Sequence, residues 1–172
     1  MAEGGIVNRV AKSGIVTLDL GEWYPEGDRY VIDLADQLWQ GLVLKEADFR
    51  DWISTHDWSA YQDAHVAVHC SADAIVPHWA YMLVQTELTG VANTVVFGDA
   101  AALENQLWSN RFAALNPQDY QDTRIVIKGC ADREVAPSAF MLLVQHLQPV
   151  AKSIMYGEPC STVPVYKRPK GV

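Results

Sequence analysis

Sliding the chain by 59 residues without a gap lays Tyr61–Asp99 on Tyr120–Glu158 with 13 identities in 39 positions. Composition alone gives roughly two or three. The shared pieces include Tyr61-Gln62-Asp63 with Tyr120-Gln121-Asp122, Ala72-Asp73 with Ala131-Asp132, Met82-Leu83 with Met141-Leu142, and Gly98 with Gly157. A repeat of this length is one supersecondary unit used twice, so it constrains packing before it constrains chemistry.

Each copy opens with a β-rich run, His65–His69 or Arg124–Lys128, followed by a loop and a helix with proline near its first turn, Pro77 or Pro137. Ala80, Leu83, Val84 and Leu88, and likewise Phe140, Leu143, Val144 and Leu147, recur at spacings of three and four, which gives each helix one buried face. A second β-rich run closes each copy, Asn93–Phe97 or Lys152–Tyr156, then a glycine and a carboxylate. That is a βαβ unit with parallel strands. Upstream, residues 46–53 and 105–112 have amphipathic helical spacing, with Tyr30–Leu34 as a strand before the first and Ile15–Leu20 as an extra edge strand.

The expected fold is α/β: a single domain over residues 1–172, with a mainly parallel sheet built from an internal β-α-β-α duplication, 61–99 and 120–158. Residues 159–172, with Pro159, Pro164 and Pro169, read as an extended C-terminal tail laid on the surface. A chain of 172 residues supports one core without staples.

The net charge of −8 opposes polyanion binding, and neither a Gly-x-Gly-x-x-Gly nor a Walker loop occurs, so nucleic acid and nucleotides are not expected. The start Met1-Ala2-Glu3-Gly4-Gly5 lacks the pattern of a secretory signal, and no later apolar run spans a bilayer. A cytoplasmic protein without membrane contact is expected. Cys70, Cys130 and Cys160 should then be thiols or ligands rather than disulfides.

In parallel sheets functional side chains gather at the strands' carboxyl ends, where all three cysteines lie in sequence: Cys70 after His69, Cys130 after Lys128 and Cys160 after Tyr156. Cys70 and Cys130 also precede helix starts, whose free amides favour thiolate. The three cysteines are the candidate metal ligands, with Asp73, Asp132, His69, His78 and Glu158 as supporting donors for zinc or iron. No pair has zinc-knuckle spacing. Cys70 aligns with Gly129 rather than with Cys130, so the repeat alone does not make the thiols converge. The competing reading is that small thiols at strand ends only fill space. The six tryptophans read as core or helix-face anchors, and His56, His65 and His146 as satisfied or solvent-facing.

Several runs resemble a bacterial family of unknown function, number 2480 in the domain-of-unknown-function series: Ile6–Ala11, Gly41–Arg50, Cys70–Pro77 and Val150–Pro164. The likeness covers nearly the whole chain. The family carries no reaction or catalytic residues to transfer, and the resemblance implies an association with iron-sulfur cluster assembly components. The favoured expectation is therefore an accessory protein of iron-sulfur cluster assembly or of thiol and metal handling. It would hold zinc, iron, an iron-sulfur cluster or sulfur on Cys70, Cys130 and Cys160, with assembly proteins as partners. Two alternatives stay open: a non-catalytic interaction module with structural cysteines, and a small thiol-dependent enzyme using Cys70 or Cys130 with His69 as base.

Overall fold

The computed structural model describes residues 14–129, 133–158 and 161–169. The chain is α/β and falls into two compact units, Glu26–Leu107 and the residues up to Pro25 together with Trp108 onward. The second unit is split in sequence because the first is inserted into it.

After strand β1 (Ile15–Asp19), the order in Glu26–Leu107 is strand β2 (Arg29–Asp33), helix α1 (Glu46–Thr55), strand β3 (His65–His69), helix α2 (His78–Leu88), strand β4 (Thr94–Phe97) and the first part of helix α3 (Ala100–Ala113). The strands form a parallel sheet in the order β2-β3-β4. Helix α1 presents Phe49 and Ile53, and α2 presents Ala80, Val84 and Leu88, to Ile32, Val66 and Val68 on one face. On the other face Leu103 and Leu107 of α3 cover Ala67 and Val96. Burial on both faces explains why β3 reads as an unbroken apolar run.

In the other unit, strand β1 (Ile15–Asp19) pairs parallel with β5 (Arg124–Lys128), which pairs parallel with β6 (Ser153–Glu158). Strand β7 (Ser161–Lys167) adds antiparallel to β6. Helix α4 (Pro137–Leu147) and the second part of α3 close the core. Trp108 and Phe112 from α3, and Ala139, Leu143 and Leu147 from α4, pack on Val16, Leu18, Ile125, Ile127 and Ile154.

The expected single sheet is therefore two sheets, one parallel and one mixed. The reason is that a strand has two hydrogen-bonding flanks. Those of β5 are taken by β1 and β6, so β4 cannot continue onto it. Ile15–Asp19 is the expected edge strand, and it lies parallel beside β5. The segment read as an extended tail carries β7. Its Pro164 sits on an edge strand beside a register shift, where a missing N–H costs little. Arg168 then fastens the chain to the Asp122 carboxylate and the Val150 carbonyl.

Local geometry recurs at the same 59-residue spacing as the sequence. Single-turn 3-10 helices occupy Trp58–Tyr61 and Pro117–Tyr120, and α2 and α4 start and stop in step. Asp63 and Asp122 both adopt left-handed backbone, with φ of 58° and 57°. Their amides donate to the carbonyls of Val91 and Val150, 2.9 and 3.0 Å away. Phe49 and Trp108, again 59 apart, are the largest fully buried side chains.

Leu143 is wholly buried at the centre of its core. Leu143→Ala is expected to cost about 2–5 kcal/mol, measured as a shift in the chemical-denaturation midpoint.

Candidate functional site

The parallel register sets Asp33, the last residue of β2, opposite His69, the last residue of β3. One Asp33 oxygen accepts the amides of Ala35 and Ser71, each at 2.9 Å, and so caps the turn Leu34–Gln37. The other lies 3.9 Å from Nε2 of His69. Cys70 follows at once, half-buried, its thiol donating to the Ala72 carbonyl at 3.7 Å. Tyr81 on α2 completes the rim and meets Phe97 edge-to-face, with ring centroids 5.1 Å apart.

The electrostatics of this rim are unequal. Burial pushes the Asp33 carboxyl upward, but hydrogen bonds from the Ser71 hydroxyl and the Ala35 and Ser71 amides, with the field of His69, outweigh it and hold the group below the ordinary value. Burial raises the Tyr81 phenol, and the fields of Cys70 and Asp33 raise it further. Tyr81 is therefore a neutral hydrogen-bond donor at neutral pH. Asp33 is a fixed anion that can hold and orient an imidazole, and an imidazole so held can accept a thiol proton.

The other sheet has a corresponding rim with different chemistry. Lys128 stands 59 residues after His69, and Asp19 ends β1 opposite it. The ammonium lies 2.9 Å from the Asp19 carboxylate and 3.9 Å from that of Glu158. The hydrogen bond to Asp19 and the charges of Asp19, Glu158 and Glu22 hold Lys128 above its ordinary value, so it stays a cation and is no base.

Of the residues picked from sequence, the structure brings His69 and Cys70 to one rim, and Glu158 to the other. Asp73 and His78 are exposed and make no hydrogen bond or ion pair among the described residues. Cys130, Cys160 and Asp132 lie outside the described residues. The strands that precede the three cysteines fall in two sheets and not in the one expected, β3 in one and β5 and β6 in the other. Among the described residues no three His, Cys, Asp or Glu side chains stand together as a metal site. Asp33, Asp19, Lys128 and Tyr81 were not singled out. The available signal was a carboxylate closing each flanking strand, Val31-Ile32-Asp33 and Thr17-Leu18-Asp19. His65, at the far end of β3, is buried with Nε2 donating to the Glu26 carbonyl at 2.9 Å and plays no part in the rim. His146 is likewise occupied, by the Leu115 carbonyl at 2.8 Å.

Fold and rim define an α/β protein with a carboxylate, an imidazole and a thiol at the carboxyl end of a parallel sheet. A family model described as a protein of unknown function, DUF2480, matches residues 4–168, and the chain belongs to that family. No curated protein and no solved structure matches the chain. No helix among the described residues is long and apolar enough to cross a membrane.

A depressed carboxyl in the folded state stabilises it above the unfolded value and loses that effect as pH falls through the folded value. Wild type should therefore be more stable than Asp33→Asn at neutral pH, with the difference shrinking as pH drops below 3.8. Denaturation midpoints of both proteins across that range check it.

Proposed function

We propose that this protein is an accessory factor of thiol and metal handling whose working group is Cys70, acting as a sulfur acceptor or soft-metal donor. The observation that carries this reading is the Asp33 carboxylate facing His69 immediately before Cys70 at an open strand end. His69 would take the thiol proton, Asp33 would hold the resulting imidazolium, and Tyr81 would donate to a bound oxygen or sulfur. In the sulfur-accepting step the Cys70 thiolate attacks the outer sulfur of a persulfide. One S–S bond forms as another breaks, the donor leaves as a thiolate, and no external oxidant is needed.

Cys130 and Cys160 enter the reading as further thiols for zinc, iron or an iron-sulfur cluster, with iron-sulfur assembly proteins as partners in the cytoplasm. The same reading treats the two halves as copies of one β-α-β-α unit. Its support is the coincidence of sequence, turns and helix limits at one spacing, with His69 and Lys128 as the diverged position. A second reading, a thiol enzyme with His69 as base, draws on the same Asp33–His69 pairing and differs in requiring turnover.

Exposure of the anaerobically purified chain to a small-molecule persulfide should add one sulfur atom to the Cys70 peptide, seen by mass spectrometry. Cys70→Ser should abolish the addition, and His69→Asn should slow it roughly a hundredfold at neutral pH. Equal labelling of Cys70 in wild type and His69→Asn would leave the imidazole without a role and sink the reading.

A further inference from the structure

Strand β4 ends its sheet, and no strand among the described residues pairs with its outer side. The Gly98 amide donates to the Val68 carbonyl at 3.0 Å, toward β3. In a parallel ladder residues turn alternately to one flank and the other, so the backbone groups of Val95 and Phe97 face the open side. Thr94-Val95-Val96-Phe97 has none of the usual guards of an edge, neither proline, charge nor bulge, and Phe97 is 74% exposed.

The other unit shows what an edge of this geometry receives. Strand β6 stands 59 residues after β4, and its outer side is taken by β7, running antiparallel. The two strands begin alike: the amides of Asn93 and Thr94 share the Ala64 carbonyl, at 2.8 and 3.5 Å, as those of Lys152 and Ser153 share the Thr123 carbonyl, at 2.8 and 3.4 Å. Strand β7 is fastened at its end by Arg168. Its amide donates to the Lys152 carbonyl at 3.0 Å, and its guanidinium donates to the Asp122 carboxylate and the Val150 carbonyl. Two residues earlier, Tyr166 packs on the core opposite Ile154, which is fully buried.

Each of these receiving groups has a counterpart beside β4. At the same spacing Asp63 corresponds to Asp122, Val91 to Val150, Asn93 to Lys152 and Val95 to Ile154. The Asp63 carboxylate is exposed and accepts from the side chain of Gln62 at 3.0 Å, and no cation among the described residues reaches it. Val95 is only half-buried, with no ring across from it. A carboxylate beside a carbonyl selects a guanidinium, whose planar fork donates to both at once. The net charge of −8 favours a basic segment over the acidic surface of another copy, and the chain's own Arg168 is already engaged beside β6.

We propose that the outer edge of β4 binds an extended segment of a partner protein, antiparallel, in which an aromatic residue covers Val95 and an arginine two positions later takes Asp63 and the Val91 carbonyl. Main-chain pairing supplies the affinity and these two side chains the selectivity. This goes beyond the thiol chemistry and does not depend on it.

The probe is a labelled synthetic peptide with the sequence of Ser161–Arg168, titrated with the full chain and followed by fluorescence anisotropy. Saturable one-to-one binding is expected. Asp63→Asn, or alanine in place of the peptide's arginine, should weaken it roughly tenfold or more, and the two together no further. Asparagine tolerates the left-handed backbone of this position, so the variant should fold. Asp122→Asn should leave binding unchanged, and bound peptide should slow hydrogen exchange at the Val95 and Phe97 amides. The proposal is overturned if no saturable binding occurs, or if binding ignores both Asp63→Asn and the peptide's arginine. It is equally overturned if Asp122→Asn rather than Asp63→Asn abolishes binding, since the peptide then takes the place of β7. A wild-type chain that self-associates in sedimentation and loses this with Asp63→Asn would assign the edge to a second copy and overturn it too.

Discussion

Strand β5 has two hydrogen-bonding flanks, and both are occupied from opposite ends of the sequence. β6 arrives through α4, the ordinary local crossover, whereas β1 is separated from β5 by the whole of Glu26–Leu107. That distant pairing closes one sheet and forces the other to end at β4. It also explains the discontinuous unit: the residues before Pro25 belong with those after Trp108 because Val16 and Leu18 are buried beside Ile125 and Ile127. The loop-closure entropy of such a pairing grows only slowly with length, so an 80-residue-scale insertion, roughly, is tolerable once the apolar strand is covered.

The same pairing rule builds both rims. In each sheet the register aligns the last residue of one flanking strand, Asp33 or Asp19, with the last residue of the central one, so the carboxylate meets whatever β3 or β5 carries there. In one sheet the partner is His69, a group that can exchange a proton, and in the other it is Lys128, which two carboxylates hold as a cation. The same register thus sets an imidazole by a carboxylate in the first case and a fixed ion pair in the second. Burial differs little between them. The distinction lies in the side chain's own chemistry.

Much of the fold was legible because it is local. Apolar spacings of three and four marked α2 and α4, proline marked their starts, and β-branched runs marked β3, β5 and β6. Strand β7 was not legible as a strand: Ser161–Lys167 contains Pro164, and only an edge position beside a register shift makes that residue compatible with pairing. For the site, His69 and Cys70 could be chosen from their place after a strand. Asp33 could not be joined to them, since it lies 36 residues earlier than His69 and becomes a neighbour only through register.

Composition, periodicity and the 59-residue repeat by themselves determined the types and order of the strands and α-helices up to β6 and the two apolar helix faces, all of which depend on neighbours a few residues apart. Tertiary structure alone decided that there are two sheets, that β1 belongs with β5, and that a carboxylate stands opposite His69. Hydrogen-bonding flanks are interchangeable from strand to strand, and nothing in a strand's own residues names its partner. The choice falls to whichever pairing buries the most apolar surface at once, a property of the whole chain.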